Sequence, residues 1–274
     1  MLLAPLPGGR DNLLNHLEHI RRELLNARGV NPQLSGRHKA YLDAVSEGAR
    51  FLRGVVRGAD IDALLLTHRY WMLVEMTISP NSPENVVNDL LSAEIEDRLL
   101  ELDDTIKVTT EALNRWAAGA GHLVLPDTNF YLKHAKILKN IDFHELLNTS
   151  GTITVLFPLV VLNELDKAKR RNDAGRGKAQ MVLALLEANV KDGLSGVWAE
   201  APRDSSRPTQ GEVWFDVILD PPEHIPLASP DAEIIDRALT AQVLAGRPVT
   251  LLTHDTAQAF RARGAGVTDV RRLD

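Results

Sequence analysis

The feature that most constrains this chain is a change of hydrophobic period near residue 119. Before that point apolar residues recur at helical spacing. Leu13, Leu14, Leu17, Ile20, Leu24 and Leu25 share one face, with Arg21, Arg22 and Glu23 elsewhere, the pattern of an amphipathic helix. Gly29 and Pro32 end it. Further helices are expected over about 38–56, 60–77 and 84–117. Ser79-Pro80-Asn81-Ser82-Pro83 breaks the chain before the last of these, with Ser82 as N-cap and Pro83 at N1. Trp71, Met72, Met76 and Trp116 are assigned to the core of this half, which reads as a helical bundle packing against the other half.

After Gly119 short apolar runs appear at 122–126, 153–162 and 249–253, with helical segments at about 143–148, 177–190, 231–245 and 256–263. Strands alternating with helices predict an α/β domain with a parallel sheet. The stretch 198–230 is Pro-rich and polar except for 213–219, and reads as a long excursion with one added strand. The expected division is therefore a helical domain over 1–118 and an α/β domain over 119–274, parted near Gly119–Gly121. At 44% hydrophobic residues, the chain has the apolar content of a globular protein. It has no window near the roughly 20 apolar residues of a membrane span. The N-terminal MLLAPLPGGRDN is too short for a secretory core and has no basic stretch before it. A cytoplasmic protein with no membrane partner is the expectation.

The chain has no cysteine, which removes disulfides, thiolate zinc sites, iron–sulfur clusters and cysteine nucleophiles. Ligands in a parallel sheet gather at the carboxyl ends of strands. Asp127 follows the first strand of the second half, Glu164 the second and Asp255 a later one, while Asp231 starts a helix. Carboxylates brought together repel unless a proton or cation intervenes. All-oxygen ligands favour Mg²⁺ or Mn²⁺. Plainer readings stand beside this. Asp231 reads equally as an N-cap, and Glu164 as a solvated turn residue. Asp127, directly after a buried apolar strand, has little evident structural purpose.

Taken in order, the four segments resemble a known family. Leu125-Pro126-Asp127-Thr128-Asn129 is similar to the first-strand signature of PIN domains, the metal-dependent nuclease fold. Val161-Leu162-Asn163-Glu164-Leu165-Asp166-Lys167 resembles its second motif, Asp231 through Leu239 its third, and Thr253-His254-Asp255 its fourth. The stretch from Glu164 to Ala179 looks closer to the large PIN domains of RNA-processing nucleases and PhoH-type fusions than to small VapC-type toxins. The helical half resembles no family. The resemblance implies a Rossmann-like fold over about 122–274 and phosphodiester hydrolysis. It implies one or two Mg²⁺ or Mn²⁺ ions held by Asp127, Glu164, Asp231 and Asp255, with Asp236 as an auxiliary. Asn129 and Thr253 would orient the carboxylates. His254 is turned away by strand alternation.

Lys167–Lys178 carries six basic residues against one acid, Asp173. Lys167, Arg170, Arg171, Arg176 and Lys178 are assigned to substrate phosphates, a salt-sensitive and sequence-independent contact. The net charge of −6 does not oppose this. Residues 1–118 hold 13 basic and 17 acidic residues, and 119–274 hold 18 and 20. Without the four acids of the site, the second half has 18 basic against 16 acidic residues. Aromatic residues are only 5%, so base-stacking platforms are not expected. The expected activity is an endoribonuclease acting on RNA. Two alternatives stand against it. A binding module that keeps the fold without catalysis would be expected to lack part of the acidic set. A phosphatase with an Asp127 nucleophile would carry a second Asp where Asn129 stands. The helical half is open to a protein partner or to self-association.

Overall fold

The helical spacing of the first half becomes α1 (Arg10–Gly29), α2 (Leu34–Leu52), α3 (Gly58–Leu64), α4 (His68–Ile78) and α5 (Glu84–Ala117). The structure is a computed structural model. It describes residues 3, 5–6, 8–30, 34–78, 83–117, 121–134, 141–172, 174–201, 210–220 and 224–273. The expected Ser82 cap, Asp173 and most of the Gly119–Gly121 boundary lie outside these residues.

One expected helix, over 60–77, is two. The break falls before α4, where the Thr67 hydroxyl accepts a hydrogen bond from Tyr70 N at 3.1 Å. A threonine oxygen there ends one helix and caps the next. Leu13, Leu17, Ile20 and Leu24 of α1 are fully buried, with Tyr41 and Leu52 of α2 and Leu91, Ile95 and Leu102 of α5. Their spacing made that face legible. The core also holds a charge that periodicity does not show. Glu94 is buried, and its Oε1 accepts from Thr67 Oγ1 at 2.6 Å and Tyr41 Oη at 3.3 Å. Arg98 Nε lies 3.2 Å from the same oxygen. A buried carboxylate persists only when it is paired and hydrogen-bonded in this way.

Two expectations for this half fail. Trp71 is 51% exposed. Trp116 is buried, but in the other compact unit. The chain divides into Met1–Asn114 and Arg115–Asp274, so the last turn of α5 belongs with the sheet. His16 and His19 lie one turn apart on α1. Both pack on Phe51, at ring-centroid distances of 5.4 and 5.2 Å.

The second unit contains β1 (His122–Pro126), α6 (Thr128–Lys133), α7 (Phe143–Leu147), β2 (Ile153–Pro158), α8 (Leu159–Ala168) and α9 (Gly175–Asn189). It continues with β3 (Val190–Asp192), β4 (Ser195–Ala199), β5 (Val213–Ile218), α10 (Pro230–Ala245), β6 (Val249–Thr253), α11 (Thr256–Ala265) and β7 (Asp269–Arg272). The sheet order is β3-β4-β5-β2-β1-β6-β7. From β5 to β7 every pairing is parallel. β4 and β3 extend the sheet antiparallel. The α/β class with a parallel core is thus the observed one, preceded by the all-helical region.

The apolar run 153–162 is not one strand. β2 ends at Pro158, which is the N-cap of α8. Val160 and Val161 are β-branched yet helical, because Val161 and Leu165 are fully buried one turn apart. Tertiary burial overrides β propensity there. β5 is no excursion either. It pairs with β2 over six residues as part of the parallel core.

Asp216 of β5 is 4% exposed. It accepts from Trp116 Nε1 at 2.9 Å and is paired with Arg115. Glycine is required at Gly121, where φ is +59° and a Cβ would stand 1.8 Å from the Thr152 carbonyl oxygen. That approach lets His122 N donate to the same oxygen at 2.7 Å.

Candidate nuclease site

β1 lies between β2 and β6, and the segments leaving all three strands reach one end of the sheet. Asp127 is the first residue after β1 and is 1% exposed. It caps α6. Oδ1 accepts from Phe130 N at 2.6 Å, and Oδ2 accepts from the Thr253 hydroxyl at 2.7 Å. The acid that seemed to lack a structural purpose therefore has one. Burial pushes its carboxyl up to about 6, and the charges of Asp231 and Asp255 push the same way, against its two hydrogen bonds.

Thr253 is fully buried at the end of β6. Its oxygen accepts from Asp255 N at 2.9 Å and lies 2.7 Å from both Asp127 Oδ2 and the Gln258 side-chain amide. One hydroxyl proton serves one acceptor. With the Gln258 amide turned to present its NH₂, which otherwise is buried without a partner, that proton goes to Asp127.

Glu164 lies in the middle of α8, not in a strand-to-helix turn. The Thr128 hydroxyl donates to its Oε2 at 2.5 Å. Asp231 is not an N-cap. Ser229 caps α10, accepting from Ala232 N at 3.2 Å, and Pro230 takes the first helical position. The Asp231 carboxylate instead accepts from Arg261 Nη2 at 2.7 Å. Asp255 caps α11, accepting from Gln258 N at 3.0 Å. That N–H chiefly, then the Ala257 N–H and the charges of Arg261 and Lys133, hold its carboxyl below the usual range.

Asp127, Asn129, Glu164, Asp231, Lys167 and Arg171 line one cleft of about 120 Å³. That is the space of about four waters, far below the volume that takes a drug-sized organic ligand. It suits ions and their water. The donors are all oxygens, and Asp127 is a buried carboxylate short of compensating positive charge. Both features fit a hard divalent cation.

The four acids are not closed around a point. Among the described residues, the one group of three carboxylate or histidine ligands within 4.8 Å of one another is Asp220, His224 and Glu233. There Glu233 is engaged by the fold, accepting from His224 Nε2 at 2.6 Å and Leu227 N at 2.9 Å. Each acid is turned onto a partner of its own: a helix N-terminus for Asp127 and Asp255, Thr128 for Glu164, and Arg261 for Asp231; Asp255 is not among the residues that line the cleft.

A family model described as PIN domain matches residues 124–271. The chain belongs to the PIN domain family. Comparison with curated proteins finds no match, and comparison with solved structures finds none. The match covers the α/β unit and leaves the helical unit without a family. PIN domains have a nuclease-like fold, and the cleft sits at the strand ends where such a fold places ligands.

The other expected residues of the PIN domain separate into those at the cleft and those engaged elsewhere. Asp236 is not among the described residues of the cleft wall, and its Oδ2 accepts from Arg237 Nη2 at 2.7 Å. In the basic stretch, Lys167 and Arg171 reach the cleft. Lys169 and Arg170 pair with Asp166, at 2.5 and 2.6 Å. Lys178 Nζ donates to His134 O at 2.7 Å. Arg176 is exposed near the start of α9. His254 follows β6 with its Nε2 buried and without a hydrogen-bond partner among the described residues. Thr128, Lys133 and Arg261 escaped the sequence reading. Thr128 stood inside the first motif. Arg261 is six residues past Asp255, and its contact is to a different helix.

Proposed function

We propose that this PIN domain is a divalent-metal-dependent ribonuclease that hydrolyses phosphodiester bonds. The observation that carries the reading is the small cleft that gathers three carboxylates, one of them the buried, charge-frustrated Asp127, with two basic side chains on its wall. In this proposal Asp127, Glu164, Asp231 and Asp255 hold Mg²⁺ or Mn²⁺. Bound there, such an ion supplies Lewis-acid polarisation of a phosphoryl oxygen and lowers the pKa of its water. The chain does the rest. Thr253 fixes one oxygen of Asp127, and the Phe130 N–H fixes the other. Asn129 lies on the cleft wall beside them. Lys167 and Arg171 take substrate phosphates, which positions a strand without reading its bases. Asp127 would ligate in its charged form, which burial disfavours when no cation stands beside it.

The test is cleavage of generic single-stranded RNA and single-stranded DNA with Mg²⁺, Mn²⁺ or EDTA, comparing wild type with Asp127→Asn. RNA cleavage that needs metal and is lost in the variant is the expected result. Cleavage unchanged by Asp127→Asn, or by EDTA, refutes the proposal. Faster cleavage of DNA than RNA would leave a nuclease and refute the substrate.

A further inference from the structure

We infer that Arg261 is an exchangeable counter-ion of the acidic cleft: it holds Asp231 while the metal is absent and yields that carboxylate when a divalent cation binds. The inference rests on the metal site proposed above. Arg261 lies on α11 and Asp231 at the start of α10, thirty residues apart in sequence, yet Nη2 and Oδ2 are 2.7 Å apart. The same guanidinium lowers Asp255, and Asp231 and Asp255 both act on buried Asp127. One cation thus serves two of three mutually repelling acids. Lys133 is a second positive charge acting on Asp255.

The pair contributes little to holding α10 and α11 in place. The side chains are 55% and 35% exposed, so the bond is weak and readily exchanged. The start of α10 has its own cap in Ser229, and that of α11 has Asp255. Ile234 and Ala238 of α10 and Ala259 and Ala262 of α11 are buried. A divalent ion at Asp231 would be repelled by the guanidinium that now occupies it. Metal binding and the Arg261–Asp231 bond therefore compete.

The experiment measures Mn²⁺ binding to the full chain by titration calorimetry, for wild type, Arg261→Ala, Arg261→Lys and Asp127→Asn. Circular dichroism confirms that each is folded. Arg261→Ala is expected to tighten the Kd by about fivefold, the upper size of an exposed ion pair. Arg261→Lys, which keeps the charge, should stay near wild type. The gain should shrink in about 1 M KCl, where the Debye length falls to about 3 Å. A structural prop would give the opposite sign, since its loss loosens a site. An unchanged or weakened Kd in Arg261→Ala, with Asp127→Asn still abolishing binding, refutes the counter-ion role alone. Undiminished binding in Asp127→Asn refutes the metal site itself, and the inference with it.

Discussion

Asp127→Asn should make the metal-free protein more stable at neutral pH. Burial moves this carboxyl from 3.8 to about 6. Folding the ionised form therefore costs about 3 kcal/mol, at 1.36 kcal/mol per pH unit. The raised value means that the folded state binds the proton more tightly than the unfolded state. The penalty is fully present above about pH 6, shrinks as pH falls, and is gone below 3.8. Asparagine removes the charge at little structural cost. It caps helices as well as aspartate does, and its Oδ1 can still accept from Phe130 N. Its NH₂ would donate to Thr253 Oγ1, and the Gln258 amide then turns over so that its oxygen, 2.7 Å away, takes the Thr253 proton. In EDTA at pH 7.5 the variant should melt about 6–12 °C above wild type, at roughly 2–4 °C per kcal/mol for a unit of this size. The difference should close near pH 4. On adding Mn²⁺ the order should reverse, because wild type alone gains binding energy. A variant that is folded but no more stable than wild type in EDTA at pH 7.5, or a gap that does not change with pH, refutes the frustrated-charge account.

Other predictions test the scaffold and the substrate face. Ser229→Ala removes the cap of α10 and should cost about 1 kcal/mol in urea denaturation, while loosening Mn²⁺ binding through Asp231. Gly121→Ala forces a Cβ onto the Thr152 carbonyl at a positive φ. It should cost about 2 kcal/mol or more, seen as a lowered urea midpoint. Lys167→Ala and Arg171→Ala should each reduce the slope of log affinity against log salt for single-stranded RNA by about 0.7, with Mn²⁺ binding retained. Arg170→Ala, whose charge is already taken by Asp166, should change that slope less.

The sheet and the acids differ in how far they could be read. β1 and β6 were legible because each is a short apolar run ended by a polar residue. β2 was read four residues too long, since Leu159-Val160-Val161 is apolar in either conformation and only the packing of Val161 and Leu165 selects helix. β4 was not legible as a strand. Its pairing partner β5 is reached through a stretch whose pattern carries no strand period. The cap role of Asp127 is not legible in the sequence, because Thr128–Lys133 is too short a helix to show a period. Asp231 was read as a plausible cap, and Ser229 turned out to hold that position.

By itself the sequence determined the two-part organisation, the α/β class of residues beyond 119 and the family of that region. Those depend on local period and on motifs in order, which a chain carries along its length. Tertiary structure alone decided that Asp127 is buried and charge-frustrated, that Lys167 and Arg171 reach the cleft while Arg170 and Lys178 are engaged elsewhere, and that Arg261 faces Asp231. Burial, competition for partners and the approach of one helix to another are relations between distant residues. No local pattern encodes which of several arginines will find a given carboxylate.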